Sequence, residues 1–103
     1  MTHYLTDNPS PDEMAALPGL TLLEFGVDWC PHCQGAQPLL APFLASRPRL
    51  RHLVVEDGKG RRLGRLYGVK LWPSFILLRD GVEVGRAVRP QGLADLEALP
   101  AGE

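Results

Sequence analysis

The chain has 103 residues, with 11 lysines and arginines against 12 aspartates and glutamates, a mass of 11.3 kDa and a pI near 6.3. A hydrophobic fraction of 45% supplies a core for a single domain over residues 1–103 and excludes a disordered chain. The charge balance excludes a basic nucleic-acid footprint and an acidic tail. No apolar run nears the roughly 20 residues of a membrane span, and residues 1–7 have no basic segment leading into an apolar one. No membrane contact and a cytoplasmic location are therefore expected, a trimmed export leader being the alternative.

Residues 3–6 read as a short edge strand. Ser10 can cap a helix, Pro11 suits its first position and Glu13 completes a capping box; Pro18-Gly19 ends it. Residues 20–27 are nearly continuous apolar, the pattern of a central strand covered on both faces, with Glu24 the exception. Residues 28–33 follow as a turn. From Gln34 the period is helical: Ala36, Leu39, Leu40, Phe43 and Leu44 share one face, and Pro38 and Pro42 predict a bend. The helix is expected to end near Ser46. Residues 50–56 form a second strand. A short helix carrying Leu63, Leu66 and Tyr67 is terminated by Gly68. A third strand, Ser74 to Arg79, joins Val82 to Val88 through the hairpin signal Asp80-Gly81, and Leu93, Leu96 and Leu99 mark a last helix. The order (β)αβαβαββα predicts parallel pairing with right-handed crossovers, plus an antiparallel closing hairpin. No internal repeat or linker interrupts it.

The only two cysteines are Cys30 and Cys33. Random placement gives this spacing about one time in fifty, and a disulfide-stapled secreted domain would carry more cysteines, spread out. Taken with Phe25 to Cys33, Pro38, Tyr67-Gly68-Val69-Lys70-Leu71-Trp72-Pro73 and Asp80-Gly81, the pair makes the chain resemble the thioredoxin family over nearly its full length. The resemblance implies an α/β fold: a thioredoxin-like mixed sheet of four to five strands flanked by helices in three α/β/α layers. Departures accompany it. Pro31-His32 stands between the cysteines where thioredoxins carry Gly-Pro, and looks like the periplasmic oxidases of the DsbA type, whose helical insertion this length cannot hold. The family's lysine on the strand after the kinked helix has no counterpart in residues 50–56. Its late glycine is replaced near Arg89-Pro90, and Trp72 is larger than the usual residue before the family's proline.

The implied activity is thiol–disulfide exchange with protein substrates. Cys30, at a helix N-terminus where unpaired N–H groups and the dipole favour negative charge, is the expected nucleophile, its thiol pKa lowered. Cys33, one turn on and more buried, is the expected resolver. The blander alternative is a static disulfide or two inert thiols. His32, protonated or donating a hydrogen bond, is expected to favour the Cys30 thiolate and make the disulfide more oxidising; otherwise it is an exposed first-turn histidine. Glu24 stands where thioredoxins carry a buried aspartate. It is expected to have a raised pKa and to exchange a proton with Cys33, unless its longer side chain reaches solvent at the sheet rim. Pro73 resembles the family's cis-proline, with Trp72 offering backbone groups and an apolar surface to an extended substrate; the alternative is a strand-entry proline beside a core tryptophan. Trp29 and Pro31 complete the expected substrate surface.

Asp28 reads as a solvated side chain, Pro38 as a kink, and His3 and His52 as ordinary surface or strand residues. Arg61, Arg62 and Arg65 read as a solvated helix face. The redox-active Cys30–Cys33 pair needs no cofactor, and with no nucleotide-binding glycine loop any reducing equivalents come through another protein, such as a thioredoxin-reductase-like donor. A monomer acting mostly as a cytosolic reductase is the leading expectation. A thioredoxin-like chaperone or interaction domain with little turnover is one alternative. A Cu(I)-type metal carrier is another, although Asp28 stands where such carriers place a methionine.

Overall fold

The computed structural model describes Tyr4 and residues 8–100. Helix α1 (Pro11–Ala15) opens on the capping box read from sequence: the Ser10 hydroxyl accepts the Glu13 N–H, and the Glu13 carboxylate accepts the Ser10 N–H. Strand β1 (Leu20–Gly26) follows, then helix α2 (Pro31–Ala45), strand β2 (Arg51–Glu56), helix α3 (Arg62–Leu66), strands β3 (Ser74–Arg79) and β4 (Val82–Val88), and helix α4 (Leu93–Glu97). Gly68 follows α3 with φ +69, and the β3–β4 turn carries positive φ at both Asp80 and Gly81, the geometry that matches the twist of a two-residue hairpin. The edge strand expected over residues 3–6 falls outside the described residues, apart from Tyr4, which is buried.

One boundary differs from the sequence reading. Helix α2 begins at Pro31 rather than Gln34, because proline is well suited to the first helical position and Cys30 serves as the cap. The two prolines that predicted a bend, Pro38 and Pro42, lie inside the same helix. The topology differs as well. The sheet runs β2-β1-β3-β4, and only β1 and β2 are parallel; β3 is antiparallel to both β1 and β4. With five residues, α3 spans only about 8 Å at 1.5 Å per residue. It is too short to return the chain along the sheet, so the chain re-enters from the end at which it left.

This reversal decides where the site lies. The ends of β1 and β2 and the start of β3 share one edge, with Phe25 opposite both Val55 and Ser74. The loops that follow β1, follow β2 and precede β3 therefore converge there. On one face of the sheet, Leu22, Phe75, Leu77 and Ala87 pack against Ala36, Leu40 and Phe43 of α2 and Leu96 of α4. On the other, Leu23, Phe25, Ile76 and Leu78 pack against Met14 of α1 and Leu63 of α3. These are the three expected layers. Alternation along β1 puts Glu24 on the α2 side, beside Leu22.

Candidate active site

The chain leaves β1, turns through Val27 to Trp29 and enters α2 with Cys30 as the cap. The Cys30 N–H donates to the Val27 carbonyl at 3.3 Å, and the Cys33 N–H donates to Cys30 Sγ at 3.4 Å. An amide at the start of a 15-residue helix thus points at the first sulfur, where negative charge is favoured. Both cysteines are free thiols, with Cys30 5% and Cys33 1% exposed. Burial pushes the Cys33 thiol up from an ordinary 9.0 to about 11.

That shift has a consequence for stability. Between about pH 9 and about pH 11 the folded protein holds a proton that the unfolded chain has lost. The reduced protein is therefore expected to lose stability as pH rises through this window and to show none of that slope below it. The loss is about 2–3 kcal/mol in all. Buried Tyr4, whose pKa is also raised, by burial first and then by Glu24, acts in the same direction above pH 10. Urea titrations of wild type against Cys33→Ala isolate the thiol; equal slopes for the two proteins count against the assignment.

Pro31 and His32 are exposed on the first turn of α2, and among the described residues His32 makes no hydrogen bond to either sulfur. The Trp72–Pro73 peptide bond is cis. Pro73 is buried, and the Trp72 ring packs with Tyr4, Val27, Cys30 and Cys33. The indole N–H of Trp72 donates to Asp57 Oδ2 at 2.8 Å. Trp29, 73% exposed, meets Trp72 edge-on with ring centroids 5.8 Å apart. The two tryptophans thus wall one side of the sulfurs. The Trp72 carbonyl accepts from Arg89 Nε at 2.9 Å, and the Arg89 N–H donates to the Pro73 carbonyl. Arg89 holds the left-handed backbone (φ +49) in the stretch where the family's late glycine is replaced.

Glu24 is wholly buried, which removes the alternative of a side chain reaching the rim. Nor is it the lone carboxyl the sequence suggested. Its Oε1 lies 2.8 Å from His52 Nε2, and its Oε2 accepts from Gln37 Nε2 at 3.0 Å and from the Tyr4 hydroxyl. His52, an ordinary strand residue by its sequence pattern, is thus a hydrogen-bond partner of the one acid in β1. The signal lay in strand pairing: Leu22 is opposite His52 and Glu24 opposite Val54 in parallel register, so His52 and Glu24 share a face as diagonal neighbours. The strand that lacks the family's lysine supplies this imidazole instead. Tyr4 gave no pattern to read, because its partners lie 20 or more residues away.

Asp28 is exposed, as read, and its carboxylate accepts the Tyr4 N–H at 3.1 Å, an anchor that the sequence did not reveal. Arg61 pairs with Glu56 at 2.8 Å, while Arg62 and Arg65 are exposed. Among the described residues, no cluster of three or more His, Cys, Asp or Glu side chains is arranged to hold a metal, and no helix is long and apolar enough to cross a membrane.

Comparison with known proteins gives one consistent result. The family model described as Thioredoxin matches residues 3–100. The thioredoxin of Chlamydia trachomatis serovar D is 36% identical over 81 residues, covering 79% of this chain and 76% of that protein. That of Chlamydia muridarum is 31% identical over 99 residues, covering 96% and 92%. Among solved structures, reduced thioredoxin 2 from Pseudomonas aeruginosa PAO1 superposes with a TM-score of 0.82 at 57% identity, over 91% of this chain and 87% of that one.

Proposed function

Because the chain belongs to the thioredoxin family and is a thiol–disulfide oxidoreductase, we propose that it reduces disulfides of protein substrates in the cytoplasm through Cys30 and Cys33. The Cys30 thiolate attacks a substrate disulfide and forms a mixed disulfide. Cys33 then attacks Cys30 Sγ, closing the Cys30–Cys33 bond and releasing the substrate thiolate. The observation that carries this reading is the asymmetry of the pair. Cys30 caps a long helix and takes an amide N–H on its sulfur, while Cys33 is shut inside and stays protonated to about pH 11. Pro73, Trp72 and Trp29 form the surface against which an extended substrate lies, and Pro31 covers the entry to α2. Glu24 exchanges the proton of Cys33. A thioredoxin-reductase-like protein returns the electrons, and the protein works as a monomer.

Insulin reduction by dithiothreitol tests the reading. Wild type is expected to accelerate it, and Cys30→Ser to fall to the uncatalysed rate. Acceleration by Cys30→Ser at the wild-type rate refutes Cys30 as the nucleophile.

The Pro31-His32 pair sets the potential. When protonated, the His32 imidazole on the first turn adds positive charge at the helix start and favours the reduced thiolate form. Replacing Pro31-His32 by Gly-Pro is expected to lower the reduction potential by about 30 mV, equivalent to ~1.4 kcal/mol. Equilibration against glutathione measures it; an unchanged or higher potential contradicts the role of His32.

A further inference from the structure

Cys33 has to lose a proton before it can attack, yet the residue is 1% exposed and solvent does not reach it freely. The groups around it run in a line toward the surface. The Tyr4 hydroxyl is within hydrogen-bonding reach of the Cys33 thiol. Gly26 leaves the room for this meeting: a Cβ there would fall 2.7 Å from both Cys33 Sγ and Tyr4 Oη. The same hydroxyl donates to Glu24 Oε2, and Glu24 Oε1 lies 2.8 Å from His52 Nε2. Glu24 is fully buried, whereas the His52 side chain is 19% exposed. Gln37 holds the carboxylate in place while also donating to the Cys33 carbonyl at 3.2 Å. Among the described residues, the titratable groups facing the line are Cys33 from α2, Cys30 at its cap, Tyr4 and Glu24 themselves, His52 from β2, and Asp28, which fixes the Tyr4 backbone.

We propose that Tyr4 and His52 are the outer members of a buried proton relay, Cys33 Sγ to Tyr4 Oη to Glu24 to His52 Nε2, which carries the resolving thiol's proton to solvent. The proposal rests on Cys33 being the resolver. In the step, the Cys33 proton moves to Tyr4 Oη as the Tyr4 proton moves to Glu24 Oε2. Glu24 gives up a proton from Oε1 to His52 Nε2, leaving the carboxyl with the proton it gained at Oε2 and the imidazole charged. Each intermediate group gains one proton and loses one. The Cys33 thiolate then attacks Cys30 Sγ; the Cys30–Cys33 bond forms, and the bond from Cys30 to the substrate sulfur breaks. The departing sulfur keeps the electron pair and takes a proton from water, while the imidazolium returns one to water. The buried Glu24 is thus served by a phenol and an imidazole.

Stopped-flow reaction of the reduced protein with dithiobis-nitrobenzoate separates the two steps, because capture by Cys30 releases the first coloured thiolate and resolution by Cys33 releases the second. Tyr4→Phe and His52→Gln are each expected to slow the second phase by about 10²-fold at neutral pH. The loss shrinks as pH rises toward about 11, where Cys33 ionises directly. The double variant is expected to lose no more than the slower single variant, as for two links of one chain. His52→Gln, at a half-buried position, decides the matter if Tyr4→Phe does not fold. Wild-type second-phase rates at neutral pH, or a loss independent of pH, overturn the relay. Absence of the first phase in wild type instead overturns the oxidoreductase reading on which it rests.

Discussion

Replacing Glu24 by leucine is expected to slow turnover by about 10²-fold, the usual scale for removing a positioned proton acceptor, while the protein stays folded. Two opposing terms keep the stability change small. Leucine removes a carboxyl from the interior of the sheet, where burying it is costly. It also removes the carboxyl acceptor of the Tyr4 hydroxyl, whose residue is 1% exposed, at about 1–3 kcal/mol. His52 and Gln37 are only half-buried and turn to water. The defect is expected in the resolving step alone, so mixed disulfides on Cys30 accumulate during turnover. Steady-state insulin reduction combined with thermal melting checks both halves. Wild-type turnover in a folded Glu24→Leu protein removes the carboxyl from the mechanism.

Cys33→Ser is expected to turn the catalyst into a trap. A serine hydroxyl is no match for a thiolate as a sulfur nucleophile, so substrates captured by Cys30 have no internal exit. Turnover falls to the uncatalysed rate, and covalent adducts build up toward one per chain in the source cell. Their identity gives the direction of exchange as well as the substrates: adducts with proteins that carry regulatory or catalytic disulfides support the reductase reading, and adducts with newly made proteins support an oxidase. Separation of extracts on gels with and without reductant makes the measurement, and an absence of reducible adducts removes Cys30 as the capturing sulfur.

Local patterns carried most of the fold. The capping box at Ser10, the apolar run of β1, the Asp80-Gly81 turn and the C-x-x-C spacing each state their structure within a few residues. The antiparallel entry of β3 was not legible, because it depends on how far a five-residue α3 can carry the chain rather than on any strand's own pattern. The site divides the same way. Cys30, Cys33 and Trp72 stand in contiguous motifs and meet in space, with Pro73 the next residue along. Tyr4, His52 and Arg89 do not announce themselves: their roles come from contacts across 20, 28 and 17 positions. Glu24 sits between the two cases, since its oddity in an apolar strand was plain and its partners were hidden.

The bare backbone at Gly26 ties four distant positions into one unit of inheritance. Any side chain at that point collides with the phenol ring and the second sulfur, so a lineage that fills it has to move or replace the tyrosine and with it the acid's companion. Glycine, tyrosine, glutamate and histidine at these sites are therefore expected to travel together through descent, and ancestors that traded one are expected to have traded the others.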